Sequence, residues 1–515
     1  MKKFAALILA AALLLSCFPA AVAESPTEIN VMIWYRDIDD LYFDEMPYYN
    51  DPDTGITAQS GVKANFNQVK GADWSTRLNL MFASAQYPEI IMRGDINLEM
   101  YGVDQEILIP LDSYIEQYMP NYKALLDADP ALAQSLRSSD GQMYQIGWLI
   151  PQNINTDSHL FINQQWLDNL GLEVPTTIDE YTEVLRAFKA QDADGDGDPN
   201  NEIPLGGTYG SMVDGVNFMF PMWGIPWRSD KLLAINDEGQ VYSPLQASGL
   251  RAALETISLW YQEGLLDVEA VSQDTNAFEA KVNAGNYGSF WRWRMTAMGT
   301  DESVSSQYVC ILPPQVEGYQ TTLPRYLEMP TFGAALTVTA ERNGTVEAAC
   351  RWLDTQLEWD NMINGYNGMK GEYWDYDANG MVDIFPMSDG TRTVPGQSSM
   401  YYSCGADYFA RVNMPSHRIE KTSYCNMYTE AGFIETNSSH ILTKLVTLTV
   451  EESQRAELLF AEIEKYAKEA VTGFIVKGVT DDSWSAYLST LESLRLDEYV
   501  SIYQTVYDRY LQANE

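Results

Sequence analysis

The feature of this sequence that most restricts its fold is an alternation of β-rich runs and amphipathic helices near the N-terminus. Residues 29–34 and 62–66 form short runs rich in β-forming residues, and a further strand pattern covers residues 88–91. Between the second and third runs, residues 73–85 place apolar side chains at helical spacing. Because strands that alternate with helices usually pair in parallel, this pattern predicts an α/β fold.

Helical patterns dominate the rest of the chain. They cover residues 179–189, 250–263 and 346–357, and a helical C-terminal region at 451–471, 483–494 and 496–512. Thr176 and Thr177 precede the first of these helices and can cap its first turn. With 515 residues the chain is long enough for two or more domains. We find no polar linker between them, which suggests that the chain crosses between domains more than once.

The N-terminus has the order of a secretory signal peptide. Lys2 and Lys3 precede an apolar run over residues 4–15, and small residues follow as far as Ala23. The run is shorter than the roughly 20 residues needed to span a bilayer. We therefore expect cleavage after Ala23 and export from the cell.

A lipid anchor at Cys17 is the alternative to this cleavage. Leu14-Leu15-Ser16-Cys17 resembles a bacterial lipobox, in which the cysteine is acylated. Leu15 is large for its place in that motif, and the segment after Cys17 is apolar where a polar tether is expected. These two features favour ordinary cleavage, so the mature protein is predicted to be secreted or held at the outer face of the cytoplasmic membrane.

Charge and cysteine content exclude several classes of function. The formal net charge is −40, which argues against a nucleic-acid partner and favours a soluble exported protein. No two cysteines form a CxxC pair and the three histidines lack metal spacing, so a zinc hydrolase is not expected. Export permits a disulfide, and whether Cys404 and Cys425 are bridged stays open.

An acidic loop that begins at Asp192 matches the start of an EF-hand calcium loop. Asp192, Asp194 and Asp196 occupy the first, third and fifth positions, and Gly197 occupies the sixth, where the loop turns sharply. Calcium takes about six to eight oxygen ligands, which alternate residues of a tight loop can supply.

The end of the loop departs from the EF-hand pattern. Its twelfth position is Ile203, and Glu202 is the nearest substitute for the usual bidentate glutamate. Asp198 would offer its backbone carbonyl, and Asn200 fits the ninth position. The loop therefore predicts a structural calcium site held by Asp192, Asp194, Asp196, Asp198, Asn200 and Glu202; the alternative is a solvated acidic loop.

Aromatic clusters supply the candidate ligand-binding residues. The chain contains 32 tyrosines and 13 tryptophans, and such rings stack on the apolar faces of sugars. Helical periodicity assigns Trp74, Trp166 and Trp352 to the core. Trp291 and Trp293 alternate with arginines after a glycine-rich break, and Trp34 ends the first strand. The predicted ligand-binding set is Trp34, Tyr35, Trp223, Trp227, Trp291, Arg292, Trp293 and Trp374.

Several fragments spread over most of the mature chain are weak singly but specific in their order. They are residues 78–90, 110–112, 119–121, 140–144, 162–163, 166–172, 175–177 and 202–205, and near the C-terminus 474–478, 483–484 and 503–510. Together they resemble one family, the extracellular solute-binding proteins of bacterial carbohydrate ABC importers, in particular its lipoprotein and oligosaccharide-binding group.

The resemblance implies a periplasmic-binding-protein-like type II fold, in which two α/β lobes flank a ligand cleft. After the signal peptide at 1–23, residues 24–150 and 330–415 would form the first lobe, and 151–329 and 416–515 the second. The lobes would close on an oligosaccharide-like solute, which a membrane permease then receives. Members with a calcium loop match the segment from Asp192, here with one additional residue before Glu202. We expect a monomer.

Two other functions remain open from the residues alone. A secreted carbohydrate-active enzyme would need a pair of carboxylates in the cleft, and no G-x-S-x-G motif or distinct acidic pair marks a catalytic site. A sugar sensor or adhesion module would bind the same ligand without transport. The sequence favours a non-enzymatic transport protein.

Overall fold

The computed structural model describes residues 26–35, 42–94, 96–128, 133, 136–147, 158–198, 200–209, 216–226, 231–236, 238–292, 295, 301–321, 323, 333–385, 411–413, 416–433 and 448–513. The predicted signal peptide and Cys17 lie outside these residues. Within them, no helix combines the length and the apolar character needed to cross a membrane.

The strands belong to two four-stranded sheets and two smaller ones. In chain order they are β1 (Thr27–Tyr35), β2 (Val62–Lys70), β3 (Ile90–Met92), β4 (His159–Asn163), β5 (Ile203–Gly206), β6 (Ala234–Ile235), β7 (Val241–Tyr242), β8 (Tyr287–Arg292), β9 (Tyr308–Ile311), β10 (Ala334–Leu336), β11 (Trp374–Tyr376), β12 (Val382–Ile384) and β13 (Val412–Asn413).

The helices include the seven that periodicity predicted, together with others that it did not. They are α1 (Pro47–Asn50), α2 (Ile56–Ser60), α3 (Trp74–Ser84), α4 (Asp112–Tyr118), α5 (Pro120–Ala128), α6 (Gln164–Leu170), α7 (Ile178–Ala190), α8 (Ser248–Gln262), α9 (Thr275–Asn283), α10 (Glu302–Ser305), α11 (Val338–Asn343), α12 (Val346–Thr355), α13 (Trp359–Asn367), α14 (Ser416–Glu430), α15 (Val450–Lys477), α16 (Asp481–Ser493) and α17 (Leu496–Ala513). A π-helical turn spans Glu99–Asp104, and 3₁₀ turns span Phe43–Glu45, Gly71–Asp73, Val216–Trp223 and Pro244–Gln246.

The first lobe is built on the sheet with strand order β10-β3-β1-β2. β1 pairs in parallel with β2 and β3, as the alternation of strands and helices predicted, while β10 joins antiparallel from a distant part of the chain. One face of this sheet packs against α1, α2, α4, α5 and α12. The other face packs against α3 and the π-helical turn.

The second lobe is built on the sheet with strand order β5-β8-β4-β9. β8 pairs in parallel with β5 and antiparallel with β4, and β4 pairs antiparallel with β9. Its core also takes in α6, α7 and α8 and the C-terminal helices α15, α16 and α17. The mixed α/β class and the helical C-terminal region are therefore confirmed.

The chain returns to the first lobe after building much of the second. β10 and α12 contribute to the core around β1, and the C-terminal helices contribute to the core around β4. A satellite sheet of β11, β12 and β13 has its own small core around Trp374. The lobe boundaries remain a prediction, which these placements support.

Candidate functional site

Aromatic and cationic side chains meet at the carboxyl ends of the parallel strands in the first lobe. Trp34 and Tyr35 end β1 and are partly exposed, Lys70 ends β2, and Arg93 directly follows β3. The Arg93 guanidinium carbon lies 5.8 Å from the centre of the Trp34 ring, and the Lys70 ammonium lies 6.0 Å from that of Tyr35. We call these four residues the strand-end wall. Ligands of open α/β folds bind at this edge of the sheet.

The backbone holds Arg93 in an uncommon conformation. Its φ of 67° lies in the left-handed region, which side chains with a Cβ rarely adopt, and its amide donates to the Gly333 carbonyl at 2.8 Å. The guanidinium also lies 5.9 Å from the centre of the Phe43 ring. Such strain in a partly exposed residue is typical of binding sites. Arg93 and Lys70 are absent from the predicted ligand-binding set, although the strand-end rule that selected Trp34 applies equally to them.

Three tryptophans of the predicted ligand-binding set lie instead in hydrophobic interiors. Trp223 and Trp291 are each 2% exposed and pack in the core of the second lobe. Trp374 is fully buried in the satellite core, where its indole nitrogen donates to the Gly368 carbonyl at 2.9 Å and to Asn364 Oδ1 at 3.1 Å. This corrects the prediction that these rings stack on a ligand, because their faces are covered by protein.

Arg292 also departs from its predicted role. Its guanidinium is fully buried and forms an ion pair with Glu279, and Nη1 donates to the Met295 carbonyl at 3.1 Å. Burial raises the pKa of the Glu279 carboxyl, and the charge of Arg292 opposes that shift. A buried cation already paired in this way holds β8 to α9 and is not available to a solute. Trp227 and Trp293 lie outside the described residues.

The acidic loop between α7 and β5 gathers three carboxylates. One oxygen from each of Asp192, Asp194 and Asp196 lies within 4.8 Å of the others. Backbone amides also bond to this group, since Asp196 N donates to Asp194 Oδ1 at 2.9 Å and Gly197 N to Asp192 Oδ2 at 3.1 Å. Gly197 has a φ of 97°, which is the turn that the sequence predicted at this glycine.

Two carboxylate oxygens of the loop are buried without a hydrogen-bond partner among the described residues, Asp192 Oδ1 and Glu202 Oε2. Glu202 is 6% exposed, and its other oxygen accepts from the Ala193 amide at 2.9 Å. Burying unpaired anionic oxygens is costly unless a cation neutralises them. The residues present therefore fit a bound metal ion, and the Asp192, Asp194 and Asp196 group can hold one.

Asp198 and Asn200 are joined by hydrogen bonds. Asp198 Oδ1 accepts from the Asn200 backbone amide at 3.2 Å and from its side-chain amide at 3.0 Å. Their predicted role as further metal ligands stays a prediction.

Cys425 is a free thiol that lies 3.5 Å from His159 Nε2 in the second lobe. Cys404, the other member of the possible disulfide, lies outside the described residues.

Comparison with known proteins identifies the family. The bacterial extracellular solute-binding proteins match residues 48–307, which is half of the chain. The chain belongs to this family. Family membership confirms the predicted solute-binding class and extracellular location.

A curated relative and two solved structures are similar to the chain over most of its length. The fructooligosaccharide ABC transporter substrate-binding protein FusA of Streptococcus pneumoniae is 25% identical over 483 residues, covering 89% of this chain and 87% of FusA. A structure of a S. pneumoniae FusA EF-hand mutant in complex with fructo-nystose aligns with a TM-score of 0.81 at 22% identity, over 95% of this chain and 100% of that one. The alginate-binding protein AlgQ2 without calcium ion aligns with a TM-score of 0.73 at 21% identity, over 94% and 98%. These alignments confirm the predicted two-lobed fold.

Proposed function

We propose that this protein captures an oligosaccharide outside the cell and delivers it to the membrane permease of an ABC importer. The observation that carries this proposal is the match to FusA over 89% of the chain, since FusA is named a fructooligosaccharide ABC transporter substrate-binding protein. The family match over residues 48–307 supports the general solute-binding role independently.

The strand-end wall is the proposed first-lobe surface for the sugar. Trp34 and Tyr35 offer partly exposed rings, which suit the flat C–H faces of a pyranose or furanose ring. Arg93 and Lys70 supply hydrogen-bond donors beside those rings, suited to hydroxyl or ring oxygens. A few polar groups placed among aromatic side chains are the usual composition of a small-molecule site.

Transport would depend on movement of the lobes. A solute held on the first lobe gains further contacts when the second lobe closes over it, so ligand shifts the balance towards the closed form by its higher affinity for that form. The named relative is a binding component, which fits a protein without catalysis. In this proposal the strand-end wall binds and orients the solute and breaks no bond.

Calcium is the proposed ion for the acidic loop, with Asp192, Asp194, Asp196 and Glu202 as ligands. Carboxylate oxygens are the ligands that calcium prefers, and a divalent ion would neutralise the two buried oxygens that lack partners. The loop joins α7 to β5 in the second lobe. Its role would therefore be structural, fixing the end of a core helix against a core strand.

Calorimetric titration of the mature protein with kestose, nystose, neutral galacto-oligosaccharides and oligogalacturonides tests the function. We expect saturable binding of at least one of these glycans, with a higher melting temperature in its presence by mass action. Chromatography of the glycan after long incubation should recover it intact. Absence of binding across these glycan classes, or cleavage of the bound glycan, would contradict the proposal.

A further inference from the structure

The two lobes touch where the first-lobe segment around the π-helical turn Glu99–Asp104 meets the N-terminal part of α15. Asn97 Nδ2 donates to Glu457 Oε1 at 2.9 Å and lies 3.5 Å from Ser453 Oγ. Ser453 Oγ in turn donates to Glu457 Oε1 at 3.3 Å, so the Glu457 carboxylate is held by a donor from each lobe.

Each partner is anchored firmly in its own lobe. The π-helical turn is fixed to the first lobe by Tyr101, whose ring stacks on Phe82 with centroids 3.5 Å apart. On the other side, Ala456 and Leu459 flank Glu457 in sequence and are buried in the core of the second lobe. Contact between Asn97 and Glu457 is therefore contact between two packed bodies.

The first-lobe side of this contact has an unusual backbone. π-helical turns are rare and occur often at functional sites. Two residues with a Cβ and a positive φ bracket the segment, Arg93 at 67° and Glu106 at 50°. Asn97 Oδ1 also accepts from the Met100 amide at 2.9 Å. One side chain thus both caps the π-helical turn and reaches the second lobe.

The first-lobe side of the contact follows the proposed ligand surface closely in the chain. Arg93 of the strand-end wall follows β3 directly, and Asn97 comes four residues later. We propose that the hydrogen bond between Asn97 and Glu457 is a latch that stabilises the arrangement in which the lobes touch at this contact, which we call closed. This inference rests on the proposed function only in requiring that the lobes move.

Asn97→Asp is the most direct test of the latch. An aspartate keeps the Oδ1 acceptor that caps Met100 but replaces the donor with a carboxylate facing Glu457. Loss of a hydrogen bond of this kind changes an equilibrium by about twofold to tenfold, and like-charge repulsion adds to it. Small-angle X-ray scattering of the ligand-free variant should therefore show a larger radius of gyration and a several-fold higher ratio of open to closed protein.

A charge reversal is the second test of the latch. Adding Glu457→Lys to Asn97→Asp restores attraction across the contact, and the radius of gyration should return towards that of the wild type. Glu462→Lys in the Asn97→Asp background is the matched control, because Glu462 is exposed on the same helix and should give no rescue. Circular dichroism spectra and melting curves check that each variant is folded.

The outcomes separate the latch from the ligand proposal. An unchanged radius of gyration in folded Asn97→Asp protein, or equal rescue by Glu457→Lys and Glu462→Lys, would overturn the latch. Because the scattering measurement uses ligand-free protein, its result does not depend on which solute the protein binds. Failure of every glycan to bind would leave a positive scattering result intact.

Discussion

At the scale of single residues, Trp34 is the member of the predicted aromatic set on which we expect ligand binding to depend most. Its ring is partly exposed at the end of β1 and lies beside Arg93. Buried aromatic anchors contribute on the order of 2 kcal/mol or more to binding. We expect Trp34→Ala to raise the Kd for a bound oligosaccharide roughly tenfold to a hundredfold in calorimetric titration.

Tyr510→Ala is the control for Trp34→Ala. Tyr510 is a partly exposed ring on the C-terminal helix of the second lobe, stacked on Tyr507. Its loss should leave the Kd unchanged. Equal affinities of the Trp34→Ala variant and the wild type would remove Trp34 from the binding surface.

Glu202 gives a separate prediction for the acidic loop. Calcium should raise the melting temperature of the wild type and a chelator should lower it, because an ion that binds the folded state stabilises it. Glu202→Gln keeps the acceptor for the Ala193 amide but loses the charge. Attraction between close charges near a protein surface exceeds ~1.4 kcal/mol, so the variant should need at least about tenfold more calcium for the same stabilisation.

The exposed Glu462 provides the comparison for this measurement, since it lies on α15, outside the acidic loop, and Glu462→Gln likewise removes one negative charge. Calcium dependence should be the same in Glu462→Gln and in the wild type. If the melting temperature of the wild type does not respond to calcium or chelator, the loop is a solvated acidic turn.

The difference between the predicted and observed roles of the tryptophans has a physical cause. Alternation along residues 291–294 predicted one face for Trp291 and Trp293 and the other face for the arginines. β8 is an inner strand of its sheet, however, and every residue from Tyr287 to Arg292 is buried. When both faces of a strand are buried, the alternation of its side chains does not separate buried residues from exposed ones. Trp74, Trp166 and Trp352 were assigned to the core from helical periodicity, and that prediction is confirmed.

At the scale of secondary-structure elements, the N-terminus of α7 is set by a local motif that the sequence already displayed. Thr177 Oγ1 accepts from the Glu180 amide at 3.3 Å, and Glu180 Oε2 accepts from the Thr177 amide at 3.2 Å. Loss of such a cap costs about 1 kcal/mol. Thr177→Ala should therefore speed amide hydrogen exchange in the first turn of α7 by about fivefold, as measured by mass spectrometry.

A threonine inside a helix is the appropriate contrast. Thr505 Oγ1 donates to the Ser501 carbonyl within α17 and caps no terminus. Thr505→Ala should not accelerate exchange in α7. Unchanged exchange in the Thr177→Ala variant would mean that packing of α7, and not its cap, fixes the first turn.

The end of a helix could be predicted from the sequence where a capping residue or a glycine marks it, and less well where none does. The pattern over residues 451–471 predicted a helix that in the structure continues as α15 to Lys477. It stops before Gly478, whose φ is 87°, because glycine adopts that conformation without strain. The π-helical turn at Glu99–Asp104 had no sequence signal, since it depends on tertiary contacts such as Tyr101 on Phe82.

At the scale of the whole molecule, the assembly of lobes from distant segments was implied by the family resemblance and not by local patterns. β10 pairs with β3 although all four strands of the second-lobe sheet lie between them in the chain, and no short-range motif encodes that pairing. The acidic excess, in contrast, is a property of composition alone. With 72 acidic and 32 basic residues, the folded protein concentrates a formal charge of −40 that the unfolded chain spreads over a larger volume.

Self-repulsion of that charge leads to a prediction for stability. At about 0.01 M ionic strength the screening length is roughly 30 Å, and at about 0.15 M it falls to roughly 8 Å, which removes most long-range repulsion. We expect the melting temperature to rise with sodium chloride over this range, with chelator present so that trace calcium has no effect. Tetramethylammonium chloride should give the same rise, because screening depends on ionic strength and not on the identity of the cation. A melting temperature that falls with salt would instead show that attractive ion pairs, such as Arg455 with Glu498, outweigh the net repulsion.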